Sequence, residues 1–367
     1  MKENTMARIT NTTPKQDGFR MPAEFEPQEK VFMAWPERTD TWREDARPAQ
    51  EAVVNVAKAI RQFEPVTVIA SKGQLAKARK ALPDEIQVVE APFDDIWIRD
   101  CGPTFVIDDR GDIRGVDWIF NSWGGDFDGL YLQWDLDDAL AEKVCEMERV
   151  DSYRTDFVLE GGSIHVDGEG TVLTTEMCLL SEGRNPHLTK AQIEENLKEY
   201  LNAEKVIWIK DGIDPMETNG HIDDVACFVR PGEVACIYTD NEEDPFYEVA
   251  QAAYQTLCAS TDAKGRPLKV HKVTTPKAPV QYEGAEELSQ TGIPQPENGD
   301  TCIASYVNFL IVNGGVIVPQ YGDENDGLAL AQLQEIFPDR QVVGVYTKEI
   351  VYGGGNIHCI TQQMPKR

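Results

Sequence analysis

Short runs in which apolar residues alternate with polar ones recur along the chain, each broken by a Gly-containing turn and followed by apolar positions three and four residues apart. Residues 104–107 break at Asp108-Asp109-Arg110-Gly111 and resume over 113–119, and residues 163–166 break at Asp167-Gly168-Glu169-Gly170 and resume over 171–173. Residues 225–229 turn at Arg230-Pro231-Gly232-Glu233 into 234–238, and residues 308–312 turn at Asn313-Gly314-Gly315 into 316–318. Alternation on both sides of such turns predicts four β-hairpins. A fifth, weaker unit starts at 29–35. Helical spacing follows each, over 49–63, 135–148, 189–201, 244–258 and 327–337, with a capping-box signature at Thr189 and Gln192. A short β-branched strand then closes each unit, at 66–69, 149–153, 205–209, 269–273 and 341–346.

Five strand-turn-strand-helix-strand units predict an α/β fold, a pseudo-symmetric five-bladed ring of ββαβ-type units around a central site. Residues 1–20 lack periodicity and read as a mobile lead-in, with 21–367 as one catalytic domain. Residues 278–300, rich in Pro, Gln and Glu, read as a long surface loop within that domain. A chain of 367 residues with 41% hydrophobic content can bury a substantial core. No N-terminal basic region precedes an apolar run, and no window approaches the ~20 apolar residues that cross a bilayer, so a cytoplasmic location is expected. The eight cysteines form no CxxC pair, which argues against a zinc knuckle or a disulfide framework. With 35 basic and 63 acidic residues, the formal charge of −28 repels nucleic acid and anionic membranes. The same field attracts a small cation, although a merely solvated surface has the same composition.

Unusual chemistry collects at the hairpin entrances. In Asp94-Asp95-Ile96-Trp97-Ile98-Arg99-Asp100-Cys101-Gly102-Pro103, read as extended, Asp94, Ile96, Ile98 and Asp100 share one side and Trp97 and Arg99 the other. Asp100 then stands among apolar residues unless a cation pairs with it. An ion pair with Arg99 is the plain alternative, and Cys101 reads as a packed core thiol. Leu159-Glu160-Gly161-Gly162 places a carboxylate before two glycines, as a solvated turn residue or as part of a site. In Glu217-Thr218-Asn219-Gly220-His221-Ile222-Asp223-Asp224, His221 and Asp223 fall on one strand face, about 7 Å apart by the two-residue rise. Finally, Gly353-Gly354-Gly355 lets the backbone approach a ligand closely and delivers Cys359 at the start of a short β-like run. Its neighbour His358 points to the opposite face and reads as structural.

A cysteine, a histidine, two aspartates and a glutamate suit attack on a carbon flanked by several N–H groups. Two carboxylates can hold a guanidinium by bidentate, charge-assisted hydrogen bonds and so present its carbon to the sulfur. The thiolate is the nucleophile, and a cation bound beside it lowers its pKa. The histidine protonates the departing nitrogen and then deprotonates water.

At these segments, and at Trp123-Gly124-Gly125 and Gly183-Arg184-Asn185-Pro186, the chain resembles the agmatine deiminases of the guanidine-modifying superfamily, whose fold is a five-bladed α/β propeller. The resemblance runs from Met21 to Pro365. It implies hydrolysis of agmatine to N-carbamoylputrescine and ammonia, in putrescine and polyamine formation, through an amidino-cysteine on Cys359. It implies His221 as general acid and base, Asp100 and Asp223 as the guanidinium grip, and Glu160 orienting His221 while helping to anchor the substrate. Trp97 becomes a pocket wall, where core packing is the alternative, and Glu217 meets the distal amine. Gly354 and Gly355 contact the substrate. Trp123, Gly124 and Gly125 line the entrance or merely turn the chain, and Arg184 has no assigned role. The resemblance implies no metal or organic cofactor, and a homo-oligomer, dimer or tetramer, is expected.

The nearest rival is the same chemistry on arginine or peptidyl-arginine, which needs a cationic group for a carboxylate; amidino transfer to an amine is a further variant. A metal-dependent hydrolase would use His221, Asp223, Glu160 and His358, without a compact ligand motif. A non-catalytic propeller scaffold would leave Cys359 an ordinary thiol.

Overall fold

Each predicted unit is built on its own sheet in the computed structural model, which describes residues 6–214 and 217–367. In the first complete unit Thr104–Asp108 and Ile113–Ile119 are antiparallel, and the helix Leu140–Glu148 leads to Ser152–Val158, parallel to Ile113–Ile119. The order repeats with His165–Val166, Thr171–Thr175, the helix Lys190–Leu201 and Lys205–Ile209. It repeats again with Ala226–Arg230, Glu233–Tyr238, the helix Tyr247–Cys258 and Lys269–Thr274. The next copy is Leu310–Val312, Gly315–Gln320, the helix Asp326–Ile336 and Gln341–Tyr346. A parallel neighbour cannot be reached by a tight turn, so each unit needs its crossover helix.

The fifth unit joins the two ends of the chain. Gln28–Ala34 leads through the helix Arg47–Arg61 to the parallel strand Val66–Ala70, with Gln87–Glu90 added at the edge. Its antiparallel partner is Gln362–Pro365, which pairs Gln362 with Phe32 and Gln363 with Val31. All five residues of Val66–Ala70 are buried, as expected where both faces of a parallel strand are covered. The helix Arg47–Arg61 buries Val53, Val56, Ala57 and Ile60 in the same core. Each fully buried valine or isoleucine contributes about 1.5–3 kcal/mol before entropy is counted.

Three expectations change. The segment 1–20 was read as a lead-in, but Arg8–Ile9 pairs with Ser152–Val158, and Phe19–Arg20 pairs with Thr104–Asp108. Two-residue strands are too short to show a period, which is why the pattern misses them. The helix read over 135–148 is two, Asp135–Asp138 and Leu140–Glu148, because Asp137 turns inward to accept the Asp94 N–H at 2.7 Å. The short strand read at 149–153 lies at Ser152–Val158 instead. Residues 278–300 form a largely exposed stretch whose only described element is the three-residue turn Ala285–Glu287. Among the described residues no helix is long and apolar enough to cross a membrane.

Candidate active site

The residues singled out at the hairpin entrances converge, but on turns. Asp100 lies in the one-turn helix Ile98–Cys101, so the alternation read across 94–100 does not hold. That turn is held from outside: the Arg99 N–H donates to the Cys359 carbonyl at 3.1 Å, and Arg99 Nε to the His358 carbonyl at 3.2 Å. Arg99 therefore pairs with the backbone of the Cys359 segment, and not with Asp100.

His221 and Asp223 do not share a strand face. Asn219 and Gly220 take left-handed backbone (φ 58° and 78°), and the tight turn Ile222–Asp224 follows His221. Cys359 also precedes its strand, in the irregular stretch before Gln362–Pro365. The tight turns still bring the side chains together. A Cβ placed on Gly162 would lie 2.6 Å from His221 Nδ1, 2.8 Å from Asp100 Oδ1 and 3.0 Å from Asp223 Oδ2. Asp223 Oδ2 is in turn 3.8 Å from Cys359 Sγ.

The glycine run is required by crowding. A Cβ on Gly354, at φ +101°, would lie 2.1 Å from Glu217 Oε2, and one on Gly355 would lie 2.6 Å from Trp97 and 3.0 Å from Cys359 Sγ. These glycines form part of a narrow chamber with Trp97, Asp100, Trp123, Glu217 and Cys359. The chamber shares Leu130, Tyr131, Glu217 and Gly353 with an outer cavity of about 830 Å³. Trp97 is both wall and core, since its indole donates to Tyr131 Oη at 3.0 Å and its ring packs on Trp42 with centroids 5.6 Å apart. Trp123 does more than turn the chain, for its indole donates to Asp100 Oδ2 at 2.9 Å.

The site is rich in buried charge. Asp100 Oδ1 accepts the Gly162 N–H at 2.9 Å, and burial, opposed by His221 and reinforced by Asp223 and Glu160, raises its pKa. Burial also works against an ionised Asp223, but His358, His221 and Arg99 hold it below the usual carboxylate range. His221 has no hydrogen bond on either ring nitrogen; Nδ1 is 3.8 Å from Asp100 and Nε2 3.7 Å from Glu160. Burial pushes its pKa down, yet Asp100, Cys178 and Glu160 outweigh it and keep the imidazole protonated well above its ordinary range. Burial works against an ionised Glu160, but Arg184 and His221 together hold it below the usual carboxylate range. Burial together with Asp223, Asp224 and Asp100 pushes the Cys359 thiol well up. Glu217, at the chamber's outer end, has an unpartnered Oε2, and burial with Asp214 raises its pKa to about 8.

Several residues were missed. Asn308 Nδ2 donates to Cys359 Sγ at 3.2 Å and to Asp224 Oδ1 at 3.0 Å. Its signal was positional: Asp100, Glu160, His221, Asp223 and Cys359 all stand just before the first hairpin strand of their unit, and Asn308 does so before Leu310–Val312. His358 is more than structural filling, since Nδ1 meets Asp223 Oδ2 at 2.7 Å and Nε2 meets Glu24 Oε2 at 2.8 Å. Glu24, in a loop at the other end of the chain, carried no local signal.

Among the described residues three buried clusters have donor atoms near enough to share an ion: Glu24, His165 and His358; Glu160, Cys178 and His221; Asp223, Asp224 and Cys359. In the first, both ring nitrogens of His358 already face carboxylates. In the second, Glu160 is engaged by Arg184, and in the third Asn308 bonds both Asp224 and Cys359. The set predicted for a metal hydrolase, His221, Asp223, Glu160 and His358, is thus split among three clusters.

The chain is similar to known proteins over nearly its whole length. The family model of the Porphyromonas-type peptidyl-arginine deiminases matches residues 20–365. A solved structure of the agmatine deiminase of Enterococcus faecalis is 65% identical, covers 98% of this chain and 100% of its own, and superposes with a TM-score of 0.97. An agmatine deiminase of Pseudomonas aeruginosa is 56% identical over 360 residues, 96% of this chain and 97% of that protein. A C. jejuni agmatine deiminase solved with substrate bound is 28% identical, covers 95% of this chain and 96% of its own, and has a TM-score of 0.79.

Proposed function

Because this chain belongs to the family of Porphyromonas-type peptidyl-arginine deiminases, we propose that it is an agmatine deiminase that hydrolyses the guanidinium of agmatine to N-carbamoylputrescine and ammonia. The observation that carries the reading is the juxtaposition of Asp100, His221 and Asp223 around one small volume facing Gly162, with the Cys359 thiol beside Asp223.

The guanidinium is planar and presents paired N–H groups, and Asp100 and Asp223 accept them. Its charge offsets the carboxylates that hold the thiol proton, so the Cys359 pKa falls when substrate is seated. The thiol proton passes to solvent as the substrate seats, and the thiolate Sγ attacks the guanidinium carbon, forming the C–S bond as the electron pair of the C=N bond moves to nitrogen. His221, protonated in the empty site, gives its proton to one terminal nitrogen, which leaves as ammonia. The remaining amidino group stays on sulfur. Neutral His221 then takes a proton from water, the oxygen attacks the same carbon, and the C–S bond breaks to release the ureido product and the thiol. Splitting the reaction in two avoids direct attack of water on a delocalised cation. Glu160 orients His221, Trp97, Gly354 and Gly355 wall the substrate, and Asn308 hydrogen-bonds the thiol. No step calls on a metal or an organic cofactor.

Agmatine is favoured over arginine by charge. Among the described residues lining the chamber there is no lysine, arginine or histidine to meet an α-carboxylate, whereas Glu217 offers a carboxylate to a distal ammonium. The repeated strand order supports reading the five sheets as blades of one propeller in a single catalytic domain. A cytoplasmic homo-oligomer acting on a free small cation completes the proposal.

The test is turnover of agmatine and of arginine at matched concentrations, following ammonia and ureido product, for wild type and Cys359→Ala. Agmatine is expected to be the preferred substrate, with kcat in the variant lower by roughly 10⁴-fold or more. Preference for arginine would retract the substrate, and activity retained in Cys359→Ala would retract the covalent route.

A further inference from the structure

Arg184 takes no step in that mechanism, yet its side chain is wholly buried at the edge of the site. Nε donates to Glu160 Oε1 at 2.9 Å, Nη2 to the Thr218 carbonyl at 2.8 Å, and Nη1 to Asn219 Oδ1 at 2.8 Å and to the Trp123 carbonyl. The acceptors lie on three separate segments, and each segment carries part of the site. Glu160 faces His221, the Trp123 indole holds Asp100, and Thr218 and Asn219 stand between Glu217 and His221. Gly183 lets the segment come this close, since a Cβ there would lie 2.3 Å from Asp128 Oδ1 and 2.8 Å from Gly124 Cα.

We propose that Arg184 is a positioning residue for the reaction: its one planar guanidinium holds the Glu160 carboxylate against His221 and ties the Trp123 turn to the turn between Glu217 and His221. The proposal rests on the reading of His221 as acid and base. A planar fork of five N–H groups can serve four acceptors in fixed directions, whereas a lysine ammonium is a point charge on a flexible stem and cannot span them. Besides Arg184, the charged or titratable groups facing Glu160 are His221, Cys178 and, across His221, Asp100; Asp128 lies near Arg184 itself. Among these Arg184 is the one permanent cation. Without it, buried Glu160 keeps only the imidazolium as counter-ion, and its ionisation moves to higher pH.

The experiment compares wild type, Arg184→Gln and Arg184→Lys by kcat and KM for agmatine against pH, and by the pH dependence of iodoacetamide alkylation at Cys359 without substrate. Alkylation is located by mass spectrometry because Cys258 is exposed, whereas Cys359 is buried. For Arg184→Gln the acid limb of kcat is expected to rise by about one pH unit or more, with kcat at its optimum lower by roughly 10- to 100-fold. Arg184→Lys keeps a charge beside Glu160 and so restores the acid limb, but it loses the loop ties and raises KM several-fold. Loss of melting temperature or active fraction alone, with acid limb, KM and alkylation profile as in wild type, would overturn the proposal. If Arg184→Gln does not fold, Arg184→Lys decides: wild-type KM overturns the proposal, and a raised KM with the wild-type acid limb supports it. A wild type that fails to use agmatine, while its alkylation profile differs from that of the folded variants, retracts the substrate alone.

Discussion

In the proposed site Glu217 would carry both affinity and a pH dependence. In the empty chamber its carboxyl titrates at about 8, raised by burial and by Asp214. A distal ammonium favours the carboxylate, so binding below that pH releases a proton. Affinity for agmatine is therefore expected to improve as pH rises from 6 towards 8, with KM falling by up to about tenfold per unit, and to level off above. Glu217→Gln should flatten that part of the profile and raise KM at pH 8 by roughly 10- to 100-fold, as for loss of a hydrogen bond to a charged group. A KM that keeps its slope in the variant would place the ammonium elsewhere. Cys359, His221, Asp100, Asp223 and Glu160 were each open to a plain structural reading alone and stood out only in combination, as a set collected at the hairpin entrances. Asn308 and Glu24 did not stand out, since an asparagine before a turn and a glutamate in a polar loop are ordinary until their partners are known.

At the scale of elements, the hairpins and crossover helices could be read because their periods and turn residues are local. The turns that hold the site could not. The Ile98–Cys101 turn is pinned by the Cys359 and His358 carbonyls, so its conformation depends on residues more than 250 positions away. Gly161–Ser163 is a turn of the same kind, and Gly162 closes against three charged side chains. Gly162→Ala would put a methyl group within 2.6–3.0 Å of His221, Asp100 and Asp223, in the space assigned to the guanidinium. The expected result is a loss of kcat/KM of roughly 100-fold or more with the fold retained, checked by steady-state kinetics beside thermal unfolding. Near-normal kinetics would mean that the substrate sits elsewhere.

For the molecule as a whole, the sheet that contains both chain ends connects stability to chemistry. Gln362–Pro365 supplies the antiparallel partner of Gln28–Ala34 and begins three residues after Cys359. Removing residues 362–367 should lower the melting temperature and abolish turnover together, because the strand anchors the segment that carries Cys359, the proposed nucleophile, and buries Met364 in the core. A truncated chain that melts as before but is inactive would show that the strand only positions the thiol. By itself the sequence determined five units, their hairpins and helices, the absence of a basic or apolar surface signal, and the residue types able to attack a guanidinium. Those follow from local periodicity, turn stereochemistry and the reactivity of single side chains. Only the tertiary structure decided that the fifth unit is completed by the far end of the chain, that Arg184 clamps three segments, and that His358 links Asp223 to Glu24. Each of these depends on hydrogen bonds between residues remote in the chain, and such bonds leave no periodic trace in the order of residues.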